Sequence, residues 1–173
     1  AVSNDGTFLG FKNETIANLG AYASVFGTVT PTYLFGPCAT GVYKMPAAYS
    51  NVKAVFTNTA PVDAYRGAGR PEATYTIERL VEKAAVELGM DKTEIRMKNF
   101  PTEFPFQQTL VHSVDSGDYA AGMNKAKQMA DYEGFEKRRQ ESEAKGKLRG
   151  IGVTTYFEAC GIAPSAVVMS LGC

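Results

Sequence analysis

The sequence predicts an α+β fold with strands at both ends of the chain and helices between them. Three observations support this prediction. Residues 1–60 are rich in β-branched and aromatic residues interrupted by Gly and Pro, a pattern typical of strands and turns. Residues 71–145 contain segments with apolar residues at helical spacing, and residues 148–172 return to the alternation of strands.

The strand-rich first part contains a turn signal and one clear strand. Asn4-Asp5-Gly6 separates two short segments and therefore predicts a hairpin. Residues 22–45 are rich in Gly, Thr, Ala and aromatics, and they are consistent with one short helix. Residues 52–57 combine β-branched and aromatic side chains, which predicts a strand.

The clearest element is a helix over residues 71–88. Its apolar residues recur at the i, i+3, i+4, i+7 spacing of a helix with one buried face. Pro71 suits the first turn, and Gly89 suits the left-handed position just beyond the end. Asp91-Lys92-Thr93-Glu94 has the spacing of a capping box and predicts a second helix, which Asn99-Phe100-Pro101 ends.

The remaining residues predict a loop, two helices and two strands. Aromatics, prolines and paired glutamines indicate a loop over residues 101–113. Asp115-Ser116-Gly117-Asp118 predicts the start of a helix that continues to residue 131, and the mostly charged residues 134–145 predict a solvent-exposed helix. Residues 148–157 alternate in the manner of a strand, and residues 165–171 predict a final strand.

The composition restricts the classes of protein to which the chain can belong. It has 18 basic and 18 acidic residues, so it lacks the basic excess of a nucleic-acid-binding protein or an electrostatic membrane anchor. No stretch approaches the ~20 apolar residues of a membrane span, and the first residues do not resemble a secretion signal. The three widely spaced cysteines predict free thiols in a reducing compartment, and hence a cytoplasmic protein.

Conventional nucleophilic or zinc chemistry finds little support in the sequence. The only histidine, His112, lies in the predicted loop with no serine or cysteine at a telling spacing. The Gly-x-Ser-x-Gly elbow of a serine hydrolase is missing. One histidine and three scattered cysteines cannot supply a closed zinc ligand set. A structural or surface role is therefore favoured for His112.

The loop before the main helix has a different character. Arg66-Gly67-Ala68-Gly69-Arg70-Pro71 joins the strand-rich part to a helix start. Its glycines permit close backbone approach, the helix start offers N–H groups, and the arginines offer donors suited to phosphate. Two interpretations of the loop remain open: a site for a phosphate-bearing cofactor, or a tight turn whose arginines lie in solvent. The sequence does not decide between them, because the loop lacks the third glycine of a dinucleotide-binding motif and the Gly-Lys-Ser/Thr ending of a P-loop.

The literal sequence of this loop resembles the active-site segment of molybdenum hydroxylase large subunits, the xanthine oxidase family. The similarity lies in Phe56-Thr57-Asn58-Thr59 followed by Ala64-Tyr65-Arg66-Gly67-Ala68-Gly69-Arg70, and the second segment is similar to form II aerobic carbon monoxide dehydrogenases. Further matching segments follow the family's order, at 15–22, 43–46, 94–100, 115–119 and 150–153. Residues 1–173 are accordingly expected to be a single incomplete segment of the molybdopterin-binding region.

The resemblance implies a molybdopterin cofactor that carries molybdenum, in its cytosine dinucleotide form for a bacterial enzyme. By position in the motif, Tyr65, Arg66, Gly67 and Gly69 would lie against the cofactor, and Ala68 would face the substrate pocket. Electrons would leave through an iron–sulfur small subunit and an FAD-binding medium subunit, because this chain has no signature for either group. The substrate would be a small molecule such as an aldehyde or carbon monoxide.

Two departures from the family bear on the substrate. Copper-containing carbon monoxide dehydrogenases carry Cys-Ser-Phe after the loop arginine, whereas this chain has Gly67, Ala68 and Gly69, and so offers no copper ligand at Gly67. Xanthine-using relatives place a phenylalanine at the position of Ala68 and an arginine upstream, yet no arginine lies between Lys12 and Arg66. Carbon monoxide and purines are therefore disfavoured, and an aldehyde or another small molecule remains open.

Parts of the catalytic machinery are expected outside residues 1–173. The resemblance implies a glycine-rich cofactor motif before this segment and a catalytic glutamate after it, so we expect the segment alone to be inactive. Glu158 is better interpreted as a structural hydrogen-bond partner than as the base, and no catalytic or metal-binding residue is assigned. The alternative is a non-catalytic scaffold that docks through the charged residues 134–145.

Overall fold

A computed structural model describes residues 1–158 and confirms the α+β class. Two strands precede the helices: β1 (Phe11–Asn18) and β2 (Ala48–Val55). Between them, residues 30–34 form one turn of π-helix and residues 36–38 one turn of 3-10 helix, where the sequence allowed one short helix. The later elements are α1 (Arg70–Leu88), α2 (Lys92–Lys98), β3 (Phe106–Gln107), β4 (Ser113–Val114), α3 (Tyr119–Met129) and α4 (Phe135–Glu143).

Strands β1 and β2 pair in parallel, from Phe11 opposite Ala48 to Asn18 opposite Val55. The second strand begins four residues before the predicted segment, because its ladder with β1 recruits residues whose local pattern is weak. The predicted N-terminal hairpin is present as a single antiparallel bridge between Val2 and Phe8. The predicted loop at 101–113 contains only the two-residue ladder of β3 and β4.

Helix α1 supplies the central face of the core, as its periodicity predicted. Ala73, Ile77, Val81 and Ala85 are buried at successive turns. They pack with aromatic residues from other parts of the chain: Tyr43 stacks on Phe100 at 5.9 Å and meets Phe8 edge-on at 5.2 Å. The other members of this core include Phe11, Val42, Met45, Ile95 and Met123.

The predicted helix caps form as expected. The Asp91 carboxylate accepts hydrogen bonds from the N–H groups of Thr93 (2.8 Å) and Glu94 (3.1 Å), which begins α2. Asp118 likewise accepts from the N–H of Ala121 at 2.8 Å and begins α3. Helix α4 contains no buried residue, so the prediction of a solvent-exposed helix is confirmed. No helix within residues 1–158 combines the length and apolar character that crossing a membrane requires.

The strand predicted at 148–157 does not form within the described residues. Side-chain burial alternates along residues 151–158 as the pattern predicted, but the backbone joins no ladder. Its polar groups bond to side chains instead: the Val153 carbonyl accepts from Arg96 at 2.9 Å, and the Thr155 N–H donates to Glu78 at 3.1 Å. The strand predicted at 165–171 lies outside the described residues, as do Cys160 and Cys173.

A buried ion pair joins this extended segment to the helices. The Arg96 guanidinium is fully buried, and its Nε lies 2.9 Å from Glu78 Oε2. Its other nitrogens donate to the Lys92 carbonyl at 2.7 Å and contact Glu82 at 3.4 Å. A buried charge without a partner is costly, so Arg96 and Glu78 must remain in contact. Their network therefore fixes the relative positions of α1, α2 and residues 153–155.

We predict that Arg96→Met destabilises the protein by about 3–5 kcal/mol, because it leaves the Glu78 carboxylate buried beside an apolar side chain. The matched control is Arg139→Met, which breaks the exposed ion pairs of Arg139 with Glu136 and Glu143 on α4 and should leave the free energy of unfolding nearly unchanged, because water screens these charges. Denaturant unfolding measures both values. A similarly small decrease in the free energy of unfolding in both variants would contradict the role assigned to the buried ion pair.

Candidate functional site

The loop between β2 and α1 follows a tightly turned, left-handed path. The Ala68 N–H donates to the Tyr65 carbonyl at 2.8 Å, and the Arg70 N–H donates to the Gly67 carbonyl at 3.2 Å. Three successive residues have positive φ: Gly67 at 99°, Ala68 at 31° and Gly69 at 84°. Only glycine adopts this region without cost, so the two glycines are required by the backbone, and Ala68 is held there by its surroundings.

Gly69 is required for a second reason, which is the close approach of another segment. A Cβ atom added at Gly69 would lie 2.5 Å from the Thr30 carbonyl oxygen and 2.7 Å from backbone atoms of Leu34 and Phe35. These atoms belong to the π-helical turn and the residue after it, and backbone cannot move aside as a side chain can. The loop therefore rests on the π-helical turn through a contact that excludes every side chain.

The start of α1 offers fewer free N–H groups than the sequence indicated. The Arg70 N–H is used by Gly67, the Ala73 N–H donates to the Gly69 carbonyl at 3.0 Å, and Pro71 has none. Glu72 also places a carboxylate in the first turn. An anion bound at this loop would therefore depend on arginine side chains more than on the helix start.

The two loop arginines point in different directions. Arg66 is exposed, as is Tyr65 with 87% of its surface accessible. Arg70 is buried, with 8% accessible, and its Nη1 donates to the carbonyls of Gly67 (3.3 Å) and Ala68 (3.4 Å). The Arg70 Nε lies 3.4 Å from a Glu158 carboxylate oxygen. Arg66 is thus available to a ligand, whereas Arg70 contacts the protein itself.

A cavity of about 860 Å³ lies between this loop, α1 and residues 151–158. Of the five site residues predicted from the sequence, Arg66 and Gly67 line it. Tyr65 projects into solvent, Ala68 is half-buried in the loop, and Gly69 packs against the π-helical turn. The structure therefore brings two of the five predicted residues to the cavity wall, and the other three are not part of its lining.

The cavity wall carries two arginines that pair with no glutamate within residues 1–158. Three arginines and three glutamates line it: Arg66, Arg70, Arg79, Glu78, Glu82 and Glu158. All three glutamates are paired. Glu78 pairs with Arg96, Glu82 pairs with Lys92 and Arg96, and Glu158 pairs with Arg70. Within residues 1–158, Arg66 and Arg79 form no ion pair. The wall therefore favours an anionic ligand.

Cys38 and His112 form a contact beneath the loop that the sequence analysis missed. The Cys38 Sγ lies 3.4 Å from His112 Nε2, although the two residues are 74 positions apart in the sequence. Burial raises the pKa of the Cys38 thiol, and burial together with the Arg70 charge lowers the pKa of His112. Both groups are held in their neutral forms, which is the opposite of an activated thiolate–imidazolium pair. The structural role predicted for His112 is consistent with this geometry.

No group of three or more His, Cys, Asp or Glu side chains within residues 1–158 is arranged to hold a metal ion. Glu158, a carboxylate at the cavity wall, forms an ion pair with Arg70. This agrees with its interpretation as a structural partner.

The sequence and fold are similar to those of known proteins. Residues 1–100 match the family described as the molybdopterin cofactor-binding domain. The carbon monoxide dehydrogenase large chain of Hydrogenophaga pseudoflava is 38% identical over 99% of this chain and 22% of its own length. The 6-hydroxypseudooxynicotine dehydrogenase complex subunit gamma of Paenarthrobacter nicotinovorans is 34% identical over 94% of this chain and 21% of its own length.

A solved structure shares the fold. Quinoline 2-oxidoreductase from Pseudomonas putida 86 superposes with a TM-score of 0.77 at 34% identity, over 83% of this chain and 19% of that one. This chain therefore spans about a fifth of the length of the relatives that it matches.

We predict that Gly69→Ala is more harmful than Gly89→Ala. Both glycines have positive φ, so both substitutions should cost about 1 kcal/mol through backbone strain. An added Cβ at Gly89 meets no atom within 4 Å, whereas at Gly69 it meets backbone, which should cost a further 1–3 kcal/mol, roughly as overpacking does. Thermal or denaturant unfolding compares the two, and equal losses would show that the π-helical turn does not restrict position 69.

Proposed function

The chain belongs to the molybdopterin cofactor-binding domain family, and from that membership we propose that it forms the cofactor-contacting part of a molybdenum-dependent hydroxylase's large, catalytic subunit. The observation that carries the proposal is Arg66, an exposed guanidinium without an ion-pair partner in the described residues. It lies at the wall of the 860 Å³ cavity, on a loop of fixed left-handed geometry.

The residues of the loop fit an anionic, phosphate-bearing cofactor. Arg66 would bind its negative charge, since a guanidinium donates paired hydrogen bonds to phosphate oxygens. Gly67 would allow the ligand to approach the backbone, and Gly69 would keep the loop seated on the π-helical turn. Tyr65 would flank the cofactor from the solvent side. When bound, the cofactor would supply the redox centre through which electrons leave the substrate.

Finer features of the proposal follow the family resemblance. The cofactor would be the cytosine dinucleotide form of molybdopterin. Iron–sulfur clusters and FAD would lie in a small and a medium partner subunit, which agrees with relatives named as a large chain and as a subunit of a complex. Such a complex would be cytoplasmic. The chain spans about a fifth of the length of its relatives, so we expect activity to require further parts of the subunit, a general base among them.

The loop also bears on the substrate. Gly67 provides no thiolate at the position where the copper-containing relatives bind copper, which disfavours carbon monoxide. Ala68 is small where xanthine-using relatives carry an aromatic ring, which disfavours a stacked purine. We propose an aldehyde or a small nitrogen heterocycle, and the second possibility is supported by the likeness to quinoline 2-oxidoreductase.

The alternative of a non-catalytic scaffold finds less support in the charged helix α4. Three of its charges pair with one another: Arg139 contacts Glu136 at 2.7 Å and Glu143 at 3.2 Å. Charges that are paired along the helix itself have less to offer a docking partner.

We predict that Arg66→Gln lowers the molybdenum content of the protein purified with its partner subunits. Loss of a charge-assisted contact should weaken cofactor retention by roughly 10- to 100-fold. The matched control is Arg149→Gln, which removes an exposed arginine outside the cavity and should retain the metal. Elemental analysis per large subunit gives the comparison. Wild-type protein that is fully active without molybdenum would refute the proposed function.

We also predict the substrate preference of the assembled enzyme. Electron transfer to an artificial acceptor should be supported by an aldehyde or by quinoline, and not by carbon monoxide or xanthine. The measurement is acceptor reduction with each compound at equal concentration. Rapid oxidation of carbon monoxide by copper-free enzyme would contradict the argument from Gly67, and rapid oxidation of xanthine would contradict that from Ala68.

A further inference from the structure

Arg70 is placed to control the shape of the loop and not only its charge. It is the first residue of α1, yet its side chain turns back beneath residues 67 and 68 and donates to both of their carbonyls. Those carbonyls belong to residues at positive φ, and Ala68 is the one without the freedom of glycine. The bonds from Arg70 therefore offset the cost of the left-handed path at the point where that cost is highest.

Glu158 completes the arrangement from the other side of the cavity. Its carboxylate lies 3.4 Å from the Arg70 Nε, so Arg70 joins the loop carbonyls on one side to Glu158 on the other. Three residues earlier, Thr155 donates its N–H and its hydroxyl to Glu78, at 3.1 and 2.9 Å. Glu158 is thereby carried by a segment that the buried Arg96–Glu78 pair holds in place.

The surroundings of Arg70 strengthen these contacts. Cys38 and His112 lie close enough to feel its charge, and both are held neutral. The Phe157 ring packs edge-on against His112 at 5.4 Å and contacts the cluster formed by Phe35, Cys38 and Ala73. Apolar and neutral groups screen charge poorly, so the attraction between Arg70, the carbonyls and Glu158 is stronger than it would be in water.

We propose that Arg70 and Glu158 form a latch that holds the loop in its left-handed conformation and thereby presents Arg66 to the cofactor. Arg70 is a positioning residue that acts through Arg66. This inference rests on the proposed function for the identity of the ligand, whereas the latch itself is a property of the protein without ligand.

The latch is tested first by hydrogen exchange of the loop amides in the cofactor-free protein. The amides of residues 68 and 70 are bonded within the loop, so their exchange reports loop opening. Arg70→Gln and Glu158→Gln should each accelerate exchange about tenfold, which corresponds to about 1.4 kcal/mol, and the double variant should exchange no faster than the more affected single variant. Arg139→Gln is the control and should leave the loop unchanged.

The location of the change separates a latch from a general structural role. A latch accelerates the loop amides and leaves those on the buried face of α1 unchanged, whereas general destabilisation accelerates both. Glu158 is partly exposed, so Glu158→Gln keeps the test decisive if Arg70→Gln does not fold. Unchanged loop exchange, or an equal increase throughout α1, would overturn the latch.

The second arm concerns the cofactor. If Arg70 acts through Arg66, Arg70→Gln should lower molybdenum content as Arg66→Gln does, and the double variant should lose no more than Arg66→Gln alone. Additive losses would mean that Arg70 contacts the cofactor itself, which overturns the positioning role. A different outcome would separate the two proposals. If the wild-type protein contains no molybdenum, but the Arg70 and Glu158 variants still accelerate exchange of the loop amides, the proposed function is refuted and the latch is retained.

Discussion

The buried ion pair between Arg96 and Glu78 is the contact on which the rest of the site depends. Glu78 is the only buried carboxylate of α1, and it accepts hydrogen bonds from Arg96, from the Tyr43 hydroxyl and from Thr155. Burial and this carboxylate raise the pKa of Tyr43 far above its ordinary value, so the phenol remains a donor. One side chain of α1 thus determines where α2, the aromatic core and the segment at 151–158 lie.

That segment in turn forms one wall of the cavity and supports the loop. Without regular strand pairing in the described residues, its position depends on side chains from α1 and α2 that bond its backbone at Val153 and Thr155. The arrangement places Glu158 against Arg70 and leaves Arg66 outside the network. The two arginines, four residues apart, therefore differ in their surroundings: Arg70 is buried and paired, whereas Arg66 is exposed and is the one that we propose contacts the cofactor.

The same loop is constrained at both of its glycines. Gly67 and Gly69 are needed for a path with positive φ, and Gly69 also for contact with the π-helical turn. A cysteine at position 67 would have to adopt that left-handed conformation with its Cβ 2.9 Å from Pro71. The backbone course of this loop therefore disfavours any side chain at position 67.

The sequence by itself determined the helices, their caps and the identity of the loop. Periodicity, the Asp91 cap and the glycines at 69 and 89 act over a few residues, and so they can be recognised without the fold. Only the tertiary structure decided that Arg70 turns inward, that Cys38 meets His112, and that residues 148–158 form no ladder. These outcomes depend on partners far away in the sequence: His112 is 74 positions from Cys38, and Thr155 is 77 positions from Glu78. Local pattern contains no information about which distant side chain will satisfy a buried charge or a backbone hydrogen bond.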